Sequence, residues 1–428
     1  MAGAPDGKRA GNTRLTSRGW VFLTVAALLI LLAYSLRRPE LLFLGCFLAA
    51  IPLLSLFLIR LQRPKLDVRR SFTPLVLTAG HPAIVRLQVN NLAPRPFPAS
   101  TWTDAIGWLP RHSASGKLGP LRSGLFRHRE PLSSTQLTYQ LTPPRRGRFE
   151  IGPFTITMTD PFGLASGTQL ANHAQTVTVI PEVQALPESG LTIAEAEGSA
   201  RLVQHRAVGG DHDITTRAYR TGDALRRVHW RASAHHGDLM VRQEEQRSHS
   251  EASILLDTRR SGYRDANSLH TLNAAESERF EWAVGFAASL VVHLQHSGFV
   301  VHMHESADAQ LASVENTTHF LESLATVALS PVPAPMDVML SNGGRQAGRT
   351  PGSMFAVISD ADPDLVQVLA ARRSGYELAV AFLVMPDDIS VSLPLSSAGW
   401  TCVVVRPGDT AEGAWLAVVD GEGGRRAS

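Results

Sequence analysis

The densest chemistry in the sequence lies between Arg217 and Val241, which read RAYRTGDALRRVHWRASAHHGDLMV. Arg217, Arg220, Arg226, Arg227 and Arg231 are interleaved there with Tyr219, His229 and Trp230. Three kinds of chemistry use such a set. In catalysis, His229 would be a base and Asp223 its orienter. At an interface, the arginines would meet an acidic partner, with Tyr219 and Trp230 as anchors. As internal structure, the segment would bridge two domains with its polar groups paired. Gly222-Asp223 reads as a tight turn, with Asp223 capping a helix over Ala224 to Arg227. No nucleophile in a recognisable setting accompanies His229, so no catalytic residue is assigned. Arg217, Tyr219, Gly222, Asp223, Arg226, His229, Trp230 and Ser233 are expected to bind a partner or to hold the structure together.

Other candidates carry less. His293 and His296 close one element, and His302 and His304 alternate along the next, but no cysteine or carboxylate pattern completes a zinc site. Gly343 to Thr350 reads GGRQAGRT, which imitates a phosphate loop. Arg349 stands where the lysine belongs, and Pro351 follows in place of a helix. Cys46 lies in an apolar run and Cys402 in an apolar strand, so neither reads as a nucleophile.

The elements that must position these residues follow from patterning. From residue 252 onward, strands and helices alternate. Strands are expected over Ala252–Asp257, Phe299–His304, Met354–Ser359, Leu378–Val384 and Thr401–Val405. Helices are expected over Ala274–Gln295, Thr317–Leu329 and Pro363–Arg373, with Ala411–Val419 continuing the pattern. Such alternation predicts a mostly parallel sheet covered on both faces. Ligands of such sheets sit beyond the carboxyl ends of the strands, where Asp257 and Asp360 fall. Residues 66–183 read as short strands with Gly and Pro turns, among them Pro74–Thr78, Ala83–Val89, Leu137–Leu141, Phe149–Met158 and Thr176–Ile180. That pattern predicts a β-sandwich.

Nearer the start, Trp20–Leu36 and Leu41–Ile59 carry no charge. As helices they would span roughly 26 and 28 Å, close to the ~30 Å of a bilayer core. Arg37, Arg38, Pro39 and Glu40 would turn between them. Lys8, Arg9, Arg14 and Arg18 precede this hairpin, and Arg60, Arg63, Lys65, Arg69 and Arg70 follow it, which predicts two cytoplasmic ends. The implied domains are a cytoplasmic tail (1–18), a transmembrane hairpin (19–64), the β-sandwich (66–183), a signature bridging segment (184–251), the α/β domain (252–420) and a disordered tail (421–428).

Composition sets the outer bounds. At 428 residues the chain has room for about three domains. With 44% apolar and 18% charged residues, it is neither a disordered chain nor a small disulfide scaffold. Two cysteines cannot make a thiolate zinc site. The net charge is only +3, and Lys8, Lys65 and Lys117 are the lysines among 41 basic residues. That bias is a codon habit of GC-rich genomes, and no nucleic-acid partner is expected.

The motif resembles the signature of the bacterial domain of unknown function family number 58. Tyr219, Gly222-Asp223, Arg226, His229-Trp230, Ser233 and Leu239 fall at its characteristic places. Arg146-Gly147-Arg148-Phe149, Ile151-Gly152-Pro153, Asp160-Pro161-Phe162-Gly163-Leu164 and Val179-Ile180-Pro181 match its run-in. His235 departs from it, since the family more often has arginine there. The resemblance implies a plasma-membrane protein with a von Willebrand factor type A-like α/β domain over 252–420. It implies a MoxR-type AAA+ ATPase and a transglutaminase-like membrane protein as partners. It implies no established activity. Such a domain usually binds magnesium through an Asp-x-Ser-x-Ser run. Here Asp257 and Ser261 match and Asp360 supplies a later aspartate, but Arg259 replaces the first serine. A guanidinium opposes the ion, so Arg259 is expected to take the place of a cofactor and pair with an aspartate. The expected role is a non-enzymatic scaffold or adaptor. The alternatives are an enzyme using His229 and Asp223, or a cation-dependent binding module.

Overall fold

The computed structural model describes residues 12–62, 65–109, 113–123, 134–188, 215–218, 228, 230–243, 251–266, 277–332, 352–360, 363–387, 390 and 392–426. The chain divides into two compact units, Met1–Pro181 and Glu182–Ser428.

The first unit opens with a short strand, β1 (Asn12–Leu15), and then the helices α1 (Ser17–Leu36) and α2 (Pro39–Leu61). Both helices are long and apolar enough to cross a membrane. They exceed the charge-free runs at their ends because capping extends them. Thr16 accepts the Gly19 amide at 3.2 Å, and Pro39 supplies a preset first helical residue. The turn is therefore shorter than expected: Arg37 closes α1 in the left-handed region with φ 50°, and Pro39 and Glu40 already belong to α2. Small residues meet between the helices, with Ala26, Ala33, Gly45 and Ser55 buried. Leu28, Leu31, Phe43, Phe47 and Phe57 remain exposed, the distribution a lipid-facing hairpin requires.

Nine more strands complete this unit: β2 (Leu66–Thr73), β3 (Leu77–Thr78), β4 (Ala83–Asn91), β5 (Ser100–Ile106), β6 (Ser113–Leu118), β7 (Ser134–Leu141), β8 (Gly147–Thr159), β9 (Ala165–Asn172) and β10 (Gln175–Ile180). Among the described residues they form two sheets. One runs β2-β4-β7, and the other β1-β9-β8-β10-β3 with β5 and β6 branching from β8. Val85, Leu87 and Val89 of the first sheet share one core with Trp102, Phe154, Ile156 and Val179 of the second. The strand expected over Pro74–Thr78 shrinks to Leu77–Thr78, because Pro74 has no amide to give a ladder.

The segment read as a tail is partly structured. Residues 12–15 pair antiparallel with β9, Leu15 opposite Ala165. The far end of α2 meets the same strand, where Gln169 Nε2 donates to the Gln62 carbonyl at 2.8 Å. Both ends of the hairpin are thus tied to β9. A buried charge cluster lies inside this unit. Arg70 holds Asp104 through Nε at 3.2 Å and Nη2 at 2.6 Å, and the Tyr139 hydroxyl donates to Asp104 at 2.7 Å. Burial, followed by the hydrogen bond to Asp104 and then its charge, pushes the Tyr139 phenol well above its ordinary range.

The second unit contains β11 (Thr215–Ala218), α3 (Trp230–His236), β12 (Met240–Gln243), β13 (Glu251–Leu256), α4 (Glu278–His296), β14 (Val300–Glu305), α5 (Thr317–Leu324), β15 (Ser353–Ile358), α6 (Pro363–Arg372), β16 (Leu378–Val384), α7 (Ser392–Ser397), β17 (Thr401–Val405) and α8 (Ala411–Arg426). β13 to β17 form a parallel five-stranded sheet in the order β14-β13-β15-β16-β17. Its central strands are buried nearly throughout, as strands covered on both faces must be. One face packs on α4, α5 and α8, the other on α6 and α7. Residues ahead of the sheet join this packing: Trp415 Nε1 donates to the Pro187 carbonyl at 3.0 Å, and the Ala411 amide donates to Gln184 at 3.2 Å. The tail expected to be disordered from Gly421 is helical to Arg426, continuing the helix that buried Trp415 and Val418 anchor.

Candidate functional site

Numbered within its own sheet, the parallel domain has strand order 2-1-3-4-5. The chain leaves its first strand, β13, toward one edge and returns past it to β15. That reversal opens a crevice at the carboxyl ends of β13 and β15, the usual ligand position of such sheets. Asp257 follows β13 there, and Ser359 and Asp360 follow β15.

Asp257 and Arg259 are both fully buried. The guanidinium meets the carboxylate at two points, Nε to Oδ1 at 2.9 Å and Nη2 to Oδ2 at 3.0 Å, and the Arg259 amide also donates to Oδ1 at 3.1 Å. Ser306, just beyond β14, donates a short hydrogen bond to the same oxygen and accepts the Thr258 amide at 2.9 Å. Tyr263 donates to the Asp257 carbonyl at 2.8 Å. The Arg259 guanidinium thus supplies the positive charge that faces Asp257.

A second arginine repeats the arrangement beside it. Arg279, in the first turn of α4, donates to Asp360 at 2.7 Å and to Asp387 at 2.5 Å, with Asp265 3.9 Å away. Burial works against its charge, but Asp387, Asp360 and Asp265 outweigh that and raise its pKa. Asp360 also accepts the amides of Arg264 at 3.3 Å and Asp387 at 2.9 Å. At the end of β14, Glu305 accepts the amides of Gln310 and Leu311, each at 2.8 Å. Burial nevertheless raises its pKa, and the two amides offset only part of that rise.

This donor set does not fit magnesium. Asp257 is spent on Arg259 and Asp360 on Arg279. Ser261 lies exposed in the 3-10 turn Arg260–Gly262. Among the described residues, no group of three His, Cys, Asp or Glu side chains converges on one point. Arg279, Glu305 with Ser306, and Asp387 escaped the sequence reading because they come from three separate stretches. Their common signal is position: each stands at a strand end, or opens a helix, at the carboxyl edge of the sheet.

The signature segment is described in part. β11 pairs antiparallel with β12, Arg217 opposite Val241. Val228 is buried. α3 is tied to β12 through Ser233, whose hydroxyl accepts the Met240 amide at 2.8 Å. Trp230 begins α3 and is 68% exposed. Tyr219, Gly222, Asp223, Arg226 and His229, the helix expected over Ala224–Arg227 and the loop Gly343–Thr350 all lie outside the described residues. His293 is buried against Trp415, ring centroids 5.3 Å apart, which marks a core histidine.

No curated protein matches the chain. Among solved structures, the chain is similar to the CARDB domain of a Pyrococcus furiosus protein, at 16% identity over 28% of this chain and 97% of that one, with a TM-score of 0.19. A Pseudomonas fluorescens alkylpurine DNA glycosylase bound to abasic-site DNA matches at 11% identity over 38% and 44%, with a TM-score of 0.20. A family two carbohydrate esterase from Cellvibrio japonicus matches at 8% identity over 85% and 98%, with a TM-score of 0.20. At these scores the likenesses carry no argument about fold or function. Residues 215–335, from β11 through the Asp257–Arg259 pair to α5, match the family described as Protein of unknown function DUF58.

Proposed function

We propose that this protein is a membrane-anchored scaffold that presents its signature segment and α/β domain to a protein partner at the cytoplasmic face of the plasma membrane. The observation that carries the reading is Trp230. A tryptophan 68% exposed, on a helix held to its strand by Ser233, is an interface anchor without its pocket. The cation position filled by Arg259 supports a von Willebrand type A-like domain that binds without a metal ion. The basic residues flanking both ends of the hairpin support the cytoplasmic orientation. By the family resemblance, the partner is a MoxR-type AAA+ ATPase, with a transglutaminase-like membrane protein in the same assembly, acting in assembly or maturation of an envelope complex.

The test is direct binding of the purified ATPase to the full-length protein in detergent, with and without Trp230→Ala. Retention by the wild type and loss by an equally stable variant are expected. Equal binding by both would remove the signature segment from the interface.

A further inference from the structure

The loop Asp160-Pro161-Phe162-Gly163-Leu164 stands outside the proposed function, yet it is built with care. Asp160 is buried, and its carboxylate accepts the Phe162 amide at 3.1 Å and the Ala165 amide at 2.6 Å. The Gly163 amide returns to the Asp160 carbonyl at 3.0 Å. Asp, then Pro, then a glycine in the fourth place is the sequence of a type I turn, and Gly163 has the φ of +70° that a side chain would resist. The turn is fixed from within, and it holds Phe162 69% exposed at its tip. The turn thus presents the Phe162 ring outward in a fixed position.

The hairpin shows what lies there. β1 runs toward α1, and β9 is antiparallel to it, with Leu15 opposite Ala165. Residues 160–164 precede Ala165, so they continue past the end of β1 in the direction α1 takes. They lie beside its first turn. The Thr16 amide donates to the Leu164 carbonyl at 2.9 Å, the Thr16 hydroxyl donates to the Gly163 carbonyl at 2.6 Å, and Gly19 leaves no room for a Cβ against the Leu164 carbonyl. Consecutive Cα atoms are ~3.8 Å apart, so Phe162 is within about 8 Å of Leu164 and hence close to that turn. Trp20, 61% exposed, and Arg18, exposed, belong to the same level. An exposed tryptophan beside an arginine at the foot of an apolar helix marks the headgroup layer of a bilayer.

We infer that Phe162 is a third membrane contact: the β8–β9 turn inserts its ring among the lipid headgroups beside Trp20, so that the strand unit is seated on the bilayer and not tethered above it. The occupant of this surface is lipid, by continuity with the hairpin. The inference rests on the reading of α1 and α2 as a membrane anchor.

The experiment uses the full-length protein, with Cys46→Ser and Cys402→Ser, in phosphatidylcholine vesicles. Single spin labels are placed through Phe162→Cys, Leu28→Cys on α1 and Leu75→Cys. Leu75 is 87% exposed beyond the far end of β2, which leaves the hairpin and runs about 27 Å at ~3.4 Å per residue. Collision with oxygen, which partitions into lipid, is compared with collision with a water-soluble nickel chelate. The oxygen-to-nickel ratio at 162 is expected to exceed that at 75 several-fold and to stay below that at 28, which lies about 12 Å deeper along α1 than Trp20. A lipid signal at 28 with 162 as aqueous as 75 would overturn the inference and leave the anchor standing. An aqueous signal at 28 would overturn the anchor and the inference together. A lipid signal at 75 would overturn the seating.

Discussion

Gly262 lies directly against the carboxylate of Asp257, so close that a Cβ added at 262 would collide with Oδ2. The 3-10 turn after β13 therefore closes over the Asp257–Arg259 pair only because its last residue has no side chain. Gly262→Ala is expected to open this turn and cost about 1–3 kcal/mol, the range for overpacking a well-filled site, read from urea denaturation.

Arg259→Ala leaves Asp257 buried without its counter-charge, held by Ser306 and the residue 259 amide. Breaking a buried pair from one side costs about 3–5 kcal/mol, so this variant is expected to melt well below the wild type. Magnesium is expected to leave the wild-type melting temperature unchanged. Arg259→Ser removes the competing cation and adds an oxygen ligand. That variant is expected to recover part of its loss on addition of magnesium, and no recovery would show that the crevice cannot hold the ion.

In the strand unit, Asp104→Ala is expected to cost a similar ~3–5 kcal/mol, because the Arg70 guanidinium beside it is buried and loses its counter-charge. Arg70→Met with Asp104→Leu removes both charges and is expected to restore most of the loss. A double-mutant cycle on chemical denaturation measures the coupling.

Glu305 gives a pH dependence of definite sign. Its folded pKa is raised by burial, so the folded state holds the proton more tightly than the unfolded chain. The stability this contributes is complete below the unfolded value and is lost as pH rises through the folded one. Glu305→Gln keeps an oxygen for the Gln310 and Leu311 amides and cannot ionise. The variant is therefore expected to gain on the wild type as pH is raised from 4.5 to 7, compared by urea midpoints.

Trp230→Ala is expected to change stability by less than about 0.5 kcal/mol, as substitutions on exposed surface do. This separates the tryptophan from Ser233. Ser233→Ala loses the bond to Met240 and is expected to cost about 1 kcal/mol.

Where apolar residues alternate without interruption, the strands were legible. β4 was expected over Ala83–Val89 and runs Ala83–Asn91 with alternate residues buried. β2 and β5 were missed for one shared reason. Each turns a charge inward, Arg70 from β2 and Asp104 from β5, and so reads as polar where it is core. The two charges satisfy each other across residues 34 positions apart, which no local pattern encodes. The parallel strands were found to within a residue or two because both faces are covered and their apolar runs are continuous. At the crevice, Asp257 and Asp360 were legible from their place after strands, and Arg259 only through the family resemblance. Arg279 and Asp387 were not, since only the fold brings the start of α4 beside the loop after β16.

The docking of β1 on β9 has a consequence for the order of assembly. Leu15 and Ala165 are partners, yet 150 residues separate them in synthesis. At ~5–20 residues per second, β9 leaves the ribosome about 8–30 seconds after β1. The two apolar helices are made while β1 is still an unpaired edge. Closure of that edge is a late, long-range step, so the helix pair is fixed to the strand unit only once β9 has formed.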